Sequence, residues 1–200
     1  TVYLLQRLGT VGAEVLAEST ERIARRTAEI SSIIESMMNL TRTDEPRRTE
    51  VDLVDLVRRS IESEPTPAEV AVRFDLPVPP VTARVDEQQL RIAIRNLAAN
   101  AIQAMPGGGE LRVSLDVSGE TGAGCARLRI ADTGTGIAPE NLAHLFQPFF
   151  TTKSRGLGFG LYLVKLITEK HGGELRAETL EGRGTGITLQ LPLDTRKGTP

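Results

Sequence analysis

The stretch DEQQLRIAIRNLAANAIQAM, residues 86–105, most constrains this chain. It has the length and apolar spacing of a buried-face helix, with Asp86 placed to cap its start. Yet Asn96 and Asn100, four residues apart, share one face bounded by Ile92, Leu97 and Ala101. Amides inside an apolar stripe require partners. A neighbouring loop's backbone would serve one of them, but two on one face suit a site at least as well. Amide oxygen is a hard, neutral ligand, suited to a Mg²⁺ ion that stays mostly hydrated and is shared with phosphates. Gln103, nearly one turn further, can add a contact.

Three glycine clusters follow. ADTGTGIAP, residues 131–139, puts Asp132, Gly134, Gly136 and Ile137 directly after an apolar strand-like run. SRGLGFGLYL places Gly156, Gly158 and Gly160, interleaved with Leu157 and Phe159 and followed by Leu161, immediately before a helix. Backbone N–H groups there can reach a phosphate, aided by the helix N-terminus. The spacing is neither that of a Walker loop nor that of a dinucleotide fingerprint. GRGTGITL, residues 182–189, is the third cluster and carries Thr185. Taken singly, each cluster is equally consistent with a turn or a hinge.

The pattern along the chain gives two regions. Residues 12–43 lack proline, and Leu16, Ile23, Ile30 and Met37 recur every seven positions, with Ile34 between them. Ile33, Met38 and Leu40 widen this stripe, as in a bundle helix with several neighbours. Gly9 and Gly12 separate it from TVYLLQRL, which has the character of the end of an earlier helix. Residues 1–43 are therefore expected to form a helical hairpin, part of a bundle, and polar residues 44–50 a linker. Residues 51–194 mix an amphipathic helix (51–63), a strand ending at proline (EVAVRFDLP), the long helix, a strand pair (GELRVSLDVS and ARLRIADT) and a loop over residues 138–158. A helix stopped by Gly172 and Gly173 and a terminal hairpin follow, leaving residues 195–200 as a tail. Strands paired mainly with sequence neighbours, and helices able to cover one face, predict an α+β, two-layer α/β sandwich.

Composition narrows the function classes. One cysteine and two histidines exclude an internal disulfide and a Cys/His metal cluster, and point to a reducing, cytoplasmic setting. Net charge −2, five phenylalanines, two tyrosines and no tryptophan argue against nucleic acid as a partner. No apolar run has the ~20 residues of a membrane span, so no direct membrane contact is expected.

The order of motifs (Asn-x-x-x-Asn helix, D-x-G-x-G-I, FQPFFTTK, G-x-G-x-G-L, G-x-G-T) resembles the ATP-binding domain of sensor histidine kinases. These belong to the superfamily of gyrase, Hsp90, histidine kinase and MutL ATPases. The resemblance covers residues 50–193, and Phe149-Phe150 before TTK looks like the nitrogen-regulation type. It implies a Bergerat-type fold, a mixed sheet covered by three helices, preceded by the second helix of a dimerisation and phosphotransfer bundle. It implies ATP and Mg²⁺ as cofactors. Asp132 would accept from the adenine amine, with Gly134 and Gly136 letting the backbone pass close beneath the base. Thr185 would orient a water against the base, and Asn100 would hold Mg²⁺ with Asn96 nearby. Lys153, with Arg155, would counter phosphate charge, and Gly156, Gly158 and Gly160 would let a lid anchored by Phe146, Phe149 and Phe150 close. Phe159 and Ile187 depart from the usual leucine and phenylalanine but stay apolar.

By the same resemblance the chain serves a homodimeric kinase that passes phosphoryl from its own histidine to a response-regulator aspartate. His144 and His171 lack the H-[DE]-x-x-N-P context of an acceptor, and His171 at a helix C-terminus is expected to gain from the macrodipole. The acceptor is expected about half a dozen residues before Thr1, which would leave these 200 residues unable to autophosphorylate. The alternatives are an anti-sigma-type serine kinase, which typically lacks the bundle helix, and a nucleotide-binding scaffold or pseudokinase.

Overall fold

The computed structural model describes residues 20, 45–78, 80–119, 124–153, 158–180 and 182–193. The chain divides into two compact units, Thr1–Arg42 and Thr43–Pro200. Of the first only Thr20, helical, is among the described residues, so the expected hairpin lies outside them.

Two small devices start the second unit. Strands β1 (Thr49–Asp52) and β3 (Thr82–Val85) pair antiparallel, Thr49 opposite Val85 and Asp52 opposite Thr82. Asp52 then ends the strand and caps helix α1 (Leu53–Glu62), its Oδ1 accepting from the N–H groups of Val54 (2.9 Å) and Asp55 (3.4 Å). Helix α1 buries Leu53, Leu56, Val57 and Ile61, the i, i+3, i+4 stripe of an amphipathic helix. Thr49 and Glu50, expected in the linker, and Val51 and Asp52, expected in the helix, are strand instead, and the sequence carries no signal for β3. Four-residue strands carry too little pattern to be told from loop, and their pairing is non-local.

The main sheet has the order β2-β4-β5-β7-β6, built from β2 (Val70–Asp75), β4 (Gly109–Ser118), β5 (Gly124–Asp132), β6 (Glu174–Leu180) and β7 (Gly184–Leu193). β2 and β4 run parallel, and the other three pairings are antiparallel. The sheet is thus mixed. Two of its four pairings join strands that are not sequence neighbours, against the expectation that neighbours would dominate. Leu111, Val113 and Leu115 of β4, Ala126, Leu128 and Ile130 of β5, and Ile187, Leu189 and Leu191 of β7 are buried at alternate positions, so one face meets the helices. The exposed face carries pairs such as Arg129 with Glu178 (2.7 Å), each worth under about 1 kcal/mol.

Helix α2 (Glu87–Gln103) is the long helix expected, capped by Asp86 Oδ1, which accepts from Gln89 N–H at 3.0 Å. It buries Leu90, Ala93, Ile94, Leu97, Ala98 and Ala101, and Ala93 and Ala98 are wholly inaccessible. Alanines at those positions let α4 (Gly160–Lys170) pack close beside it. Helices α1, α2 and α4 share one hydrophobic core with the sheet, giving the α+β two-layer sandwich. A short helix, α3 (Pro139–Leu142), interrupts what the sequence suggested was loop.

Helix α4 ends at His171 and turns at Gly172, φ +73°. The expected gain of a charged His171 from the macrodipole does not hold. The ring is buried, 3% exposed, with Nδ1 2.8 Å from the Ile167 carbonyl and Nε2 accepting from Asp86 N–H at 3.0 Å. A carbonyl on one side and an N–H on the other admit only the neutral Nδ1–H tautomer. Desolvation lowers the pKa of this group, outweighing the opposing Ile167 carbonyl bond. His171 thereby ties the end of α4 to the start of α2. The segment before β1 joins the same corner, with Arg47 N–H on Asp86 Oδ2 (3.0 Å) and Arg48 on the Lys170 carbonyl (2.9 Å).

Two consequences are testable. Because folding lowers the His171 pKa, the unfolded chain takes up its proton first, so stability is full above a pH of about 6.5 and falls below it. Thermal melting from pH 8 to 5 should show wild type losing more stability than His171→Gln, which starts about 1–3 kcal/mol lower; parallel curves would refute the assignment. Gly184 has φ +90°, and a Cβ there would lie 1.9 Å from the Asp132 carbonyl oxygen. Gly184→Ala should therefore cost roughly 2–4 kcal/mol in denaturant unfolding, by forcing β7 off the end of β5.

Candidate functional site

β5 ends on Asp132, and the chain immediately folds its next residues back on that carboxylate. Oδ1 accepts from Gly134 N–H (2.9 Å) and from Thr185 N–H of β7 (3.3 Å). Both bonds fall on one oxygen, and neither on Oδ2. The side chain is buried, 8% exposed. Desolvation raises its pKa above the ordinary aspartate value, and the two N–H bonds and the charge of Lys153 only partly offset this.

The loop after Asp132 is held from two sides. A Cβ on Gly134 would lie 2.3 Å from the Ala104 carbonyl oxygen at the end of α2, so only glycine permits this approach. Thr135 N–H donates to that same carbonyl at 3.2 Å, while its own carbonyl accepts from Gly182 N–H at 2.7 Å. Ile137 N–H donates to Thr179 Oγ1 (2.9 Å), and Thr179 Oγ1 also contacts Thr185 Oγ1 and the Gly184 carbonyl, each at 3.1 Å. Gly136 takes the left-handed conformation, φ +70°.

Asn96 and Asn100 face α4 rather than the sheet. Asn96 is half-buried; its amide nitrogen donates back to the Ile92 carbonyl at 2.9 Å, which leaves Oδ1 forward. A Cβ on Gly160, the first residue of α4, would come within 2.8 Å of that Oδ1 and 3.6 Å of Asn100 Nδ2. The N-terminus of α4 therefore sits directly against the two amides. Lys153 reaches the same place from the preceding loop, its Nζ donating to Asn100 Oδ1 (3.0 Å) and Gln103 Oε1 (2.6 Å). Although Lys153 as a residue is exposed, its ammonium is desolvated among these groups. That lowers its pKa, against the pull of the Asp132 charge.

Thus Asn96, Asn100, Gln103, Lys153 and Gly160 form one group, and Asp132, Gly134, Ile137 and Thr185 another, linked by Ala104 and by the Lys153–Asp132 attraction. Gly158 has φ +66°, and a Cβ there would lie 2.3 Å from the Phe150 carbonyl. Phe159 is buried edge-on to Phe149, ring centroids 4.4 Å apart, and Leu161 packs on the core. Phe149 is 67% exposed and has φ 65°, Phe146 is half-buried, and Phe150 tilts against His144 at 5.8 Å. Arg155, Gly156 and Leu157 lie outside the described residues. Sequence reasoning missed Thr179 and Gly184. A threonine in a strand carries no spacing signal, and Gly184 is masked by the glycines around it.

Among the described residues no three His, Cys, Asp or Glu side chains gather to hold a metal. What the site does offer a cation is neutral amide oxygen, and Asn100 Oδ1 already accepts from one, the Lys153 ammonium. That donor set fits a hydrated Mg²⁺ shared with phosphates and not a protein-caged metal.

Residues 85–195 match the family model described as histidine kinase-, DNA gyrase B- and HSP90-like ATPase. The sensor histidine kinase ZraS of Escherichia coli O157:H7 is 33% identical over 189 residues, 92% of this chain and 39% of that protein. The nitrogen regulation protein NtrY of Azorhizobium caulinodans is 32% identical over 200 residues, 96% of this chain and 25% of its own length. The chain thus spans two-fifths or less of these curated relatives. Among solved structures, the mycobacterial sensor histidine kinase MprB is 30% identical with TM-score 0.63, covering 72% of this chain and 97% of its own. Full-length ShkA in complex with AMPPNP is 25% identical with TM-score 0.72, covering 87% of this chain and 38% of its own. With a family model spanning four of the five sheet strands and both helices of the site, and a relative of this identity covered almost throughout, the chain belongs to the histidine kinase-, DNA gyrase B- and HSP90-like ATPases, and among them to the sensor histidine kinases.

Proposed function

We propose that residues 51–194 bind ATP with Mg²⁺ and present its γ-phosphoryl to a histidine on a dimerisation helix, for relay to an aspartate of a response regulator. The observation that carries this reading is Asp132. It is a buried carboxylate whose Oδ1 is locked by two backbone N–H groups and whose Oδ2 is left to a donor from outside. Adenine presents such a donor in its exocyclic amine, whereas a base with a carbonyl at that position would set oxygen against carboxylate. A buried polar mismatch of this kind discriminates strongly.

The remaining residues take their roles from where they stand. Gly134 and Gly136 keep the loop low beside the base, and Ile137 is fixed through its N–H on Thr179. Thr185, with its N–H on Asp132, turns its hydroxyl toward Thr179, where it can order a water against the base. Asn100, with Asn96 behind it, offers its amide oxygen to the metal, and Gly158 and Gly160 open the N-terminus of α4 toward the phosphates. Mg²⁺, when bound, neutralises phosphate charge. The protein supplies position and electrostatics, because phosphoryl transfer asks little covalent chemistry of it. His171 is no acceptor, since both its nitrogens are engaged inside the fold. No described helix is long and apolar enough to cross a membrane.

Calorimetric titration of ATP tests this reading. Asp132→Asn should weaken binding about a hundredfold or more, by turning a donor toward the amine. Folding raises the Asp132 pKa, so its stability contribution is present at low pH and lost as pH rises through the folded pKa. At neutral pH the buried charge is a cost, and Asp132→Asn should melt no lower than wild type. Asn100→Ala should abolish the Mg²⁺ dependence of binding. Wild-type affinity in Asp132→Asn would remove Asp132 from the site.

A further inference from the structure

The proposed phosphate role does not explain the contacts that Lys153 makes. The Nζ donates to two oxygens that come from one face of α2, Asn100 Oδ1 at 3.0 Å and Gln103 Oε1 at 2.6 Å. Residues three apart on a helix are surface neighbours, so these oxygens converge on one point. Both are neutral amide oxygens, and one is the proposed metal ligand. The lysine is 53 and 50 residues away in sequence, so the fold, not local geometry, brings it there.

We infer that Lys153 is the resident cation of the Asn100–Gln103 oxygen pair, an alternative occupant of the place that Mg²⁺ takes with nucleotide. This rests on the nucleotide reading above and adds a competition to it. A Mg²⁺ ion sits about 2.0–2.1 Å from an oxygen ligand. An ammonium 3.0 Å from the same oxygen would then lie within a few ångströms of a divalent charge, where repulsion is strong. The two cations exclude each other at Asn100. With metal present the ammonium gives way. Without metal it stays on Asn100 and Gln103 and meets the phosphates as a surrogate cation. Lys153 is thus a positioning residue whose contribution depends on whether the metal is there.

Calorimetric titration of ADP and ATP, each with excess Mg²⁺ and with EDTA, into wild type and Lys153→Met separates this from a simple phosphate clamp. Methionine keeps the apolar stem and removes the charge, and matched melting curves establish folding. The ratio of metal-free to Mg²⁺-loaded Kd should rise about tenfold or more in Lys153→Met, the worth of a charge-assisted contact. A lysine acting alongside the metal would weaken both titrations by one common factor and leave the ratio unchanged, which overturns the inference while leaving the nucleotide site standing. Absence of any nucleotide binding by wild type would overturn both.

Discussion

The structure turns on one carboxylate oxygen. Asp132 Oδ1 accepts from the loop that follows it and from the strand beside it, so a single atom ties β5, the 133–137 loop and the start of β7. Burying that charge is unfavourable, as its raised pKa shows, and the two N–H groups recover only part of the loss. A fold chosen for stability alone would have no reason to place an aspartate there. The residual cost is what makes the carboxylate receptive, because a partly desolvated acceptor gains more from a matching donor than a hydrated one does. The glycines around it follow from the same closeness: Gly134 against the Ala104 carbonyl and Gly184 against the Asp132 carbonyl.

Helix α2 carries the other half of the site and organises the core. Its inward face is aliphatic, with alanines where α4 approaches, and its α4-facing side bears Asn96 and Asn100. Close packing of the two helices is therefore what brings the N-terminus of α4 to the amides. At the far end of the same pair, neutral His171 bonds the end of α4 to the Asp86 backbone, and Arg47 and Arg48 fasten the entering segment there. Any change in how that segment is held bears on the corner that sets the spacing of α2 and α4. Packing and site geometry are one problem in this domain.

Lys153 satisfies the amide oxygens of this site from outside the helix. Asn100 and Gln103 would otherwise present bare amide oxygens, and an ammonium from the neighbouring loop meets them. On the proposed reading, the oxygen that Lys153 holds is the one that the metal would take, which couples occupancy of the site to the position of the loop.

Much of this was legible in the sequence. Helices α2 and α4 follow from apolar periodicity with an Asp cap and a glycine stop, and β4, β5, β6 and β7 from alternation bounded by turns. The D-x-G-x-G and Asn-x-x-x-Asn spacings marked both halves of the site, because local chemistry at fixed offsets is written in the chain. What the sequence could not decide was every relation that depends on non-local closure. Alternation marks β2 and β4 as strands but not their parallel pairing, and the short β1–β3 ladder joins segments with no local signal. The neutral state of His171 depends on an Asp86 N–H 85 residues away, and Lys153 on amides 50 and 53 residues away. Spacing fixes which groups share a face; only the folded chain brings two faces together and removes the water between them, and that desolvation decides charge, tautomer and partner.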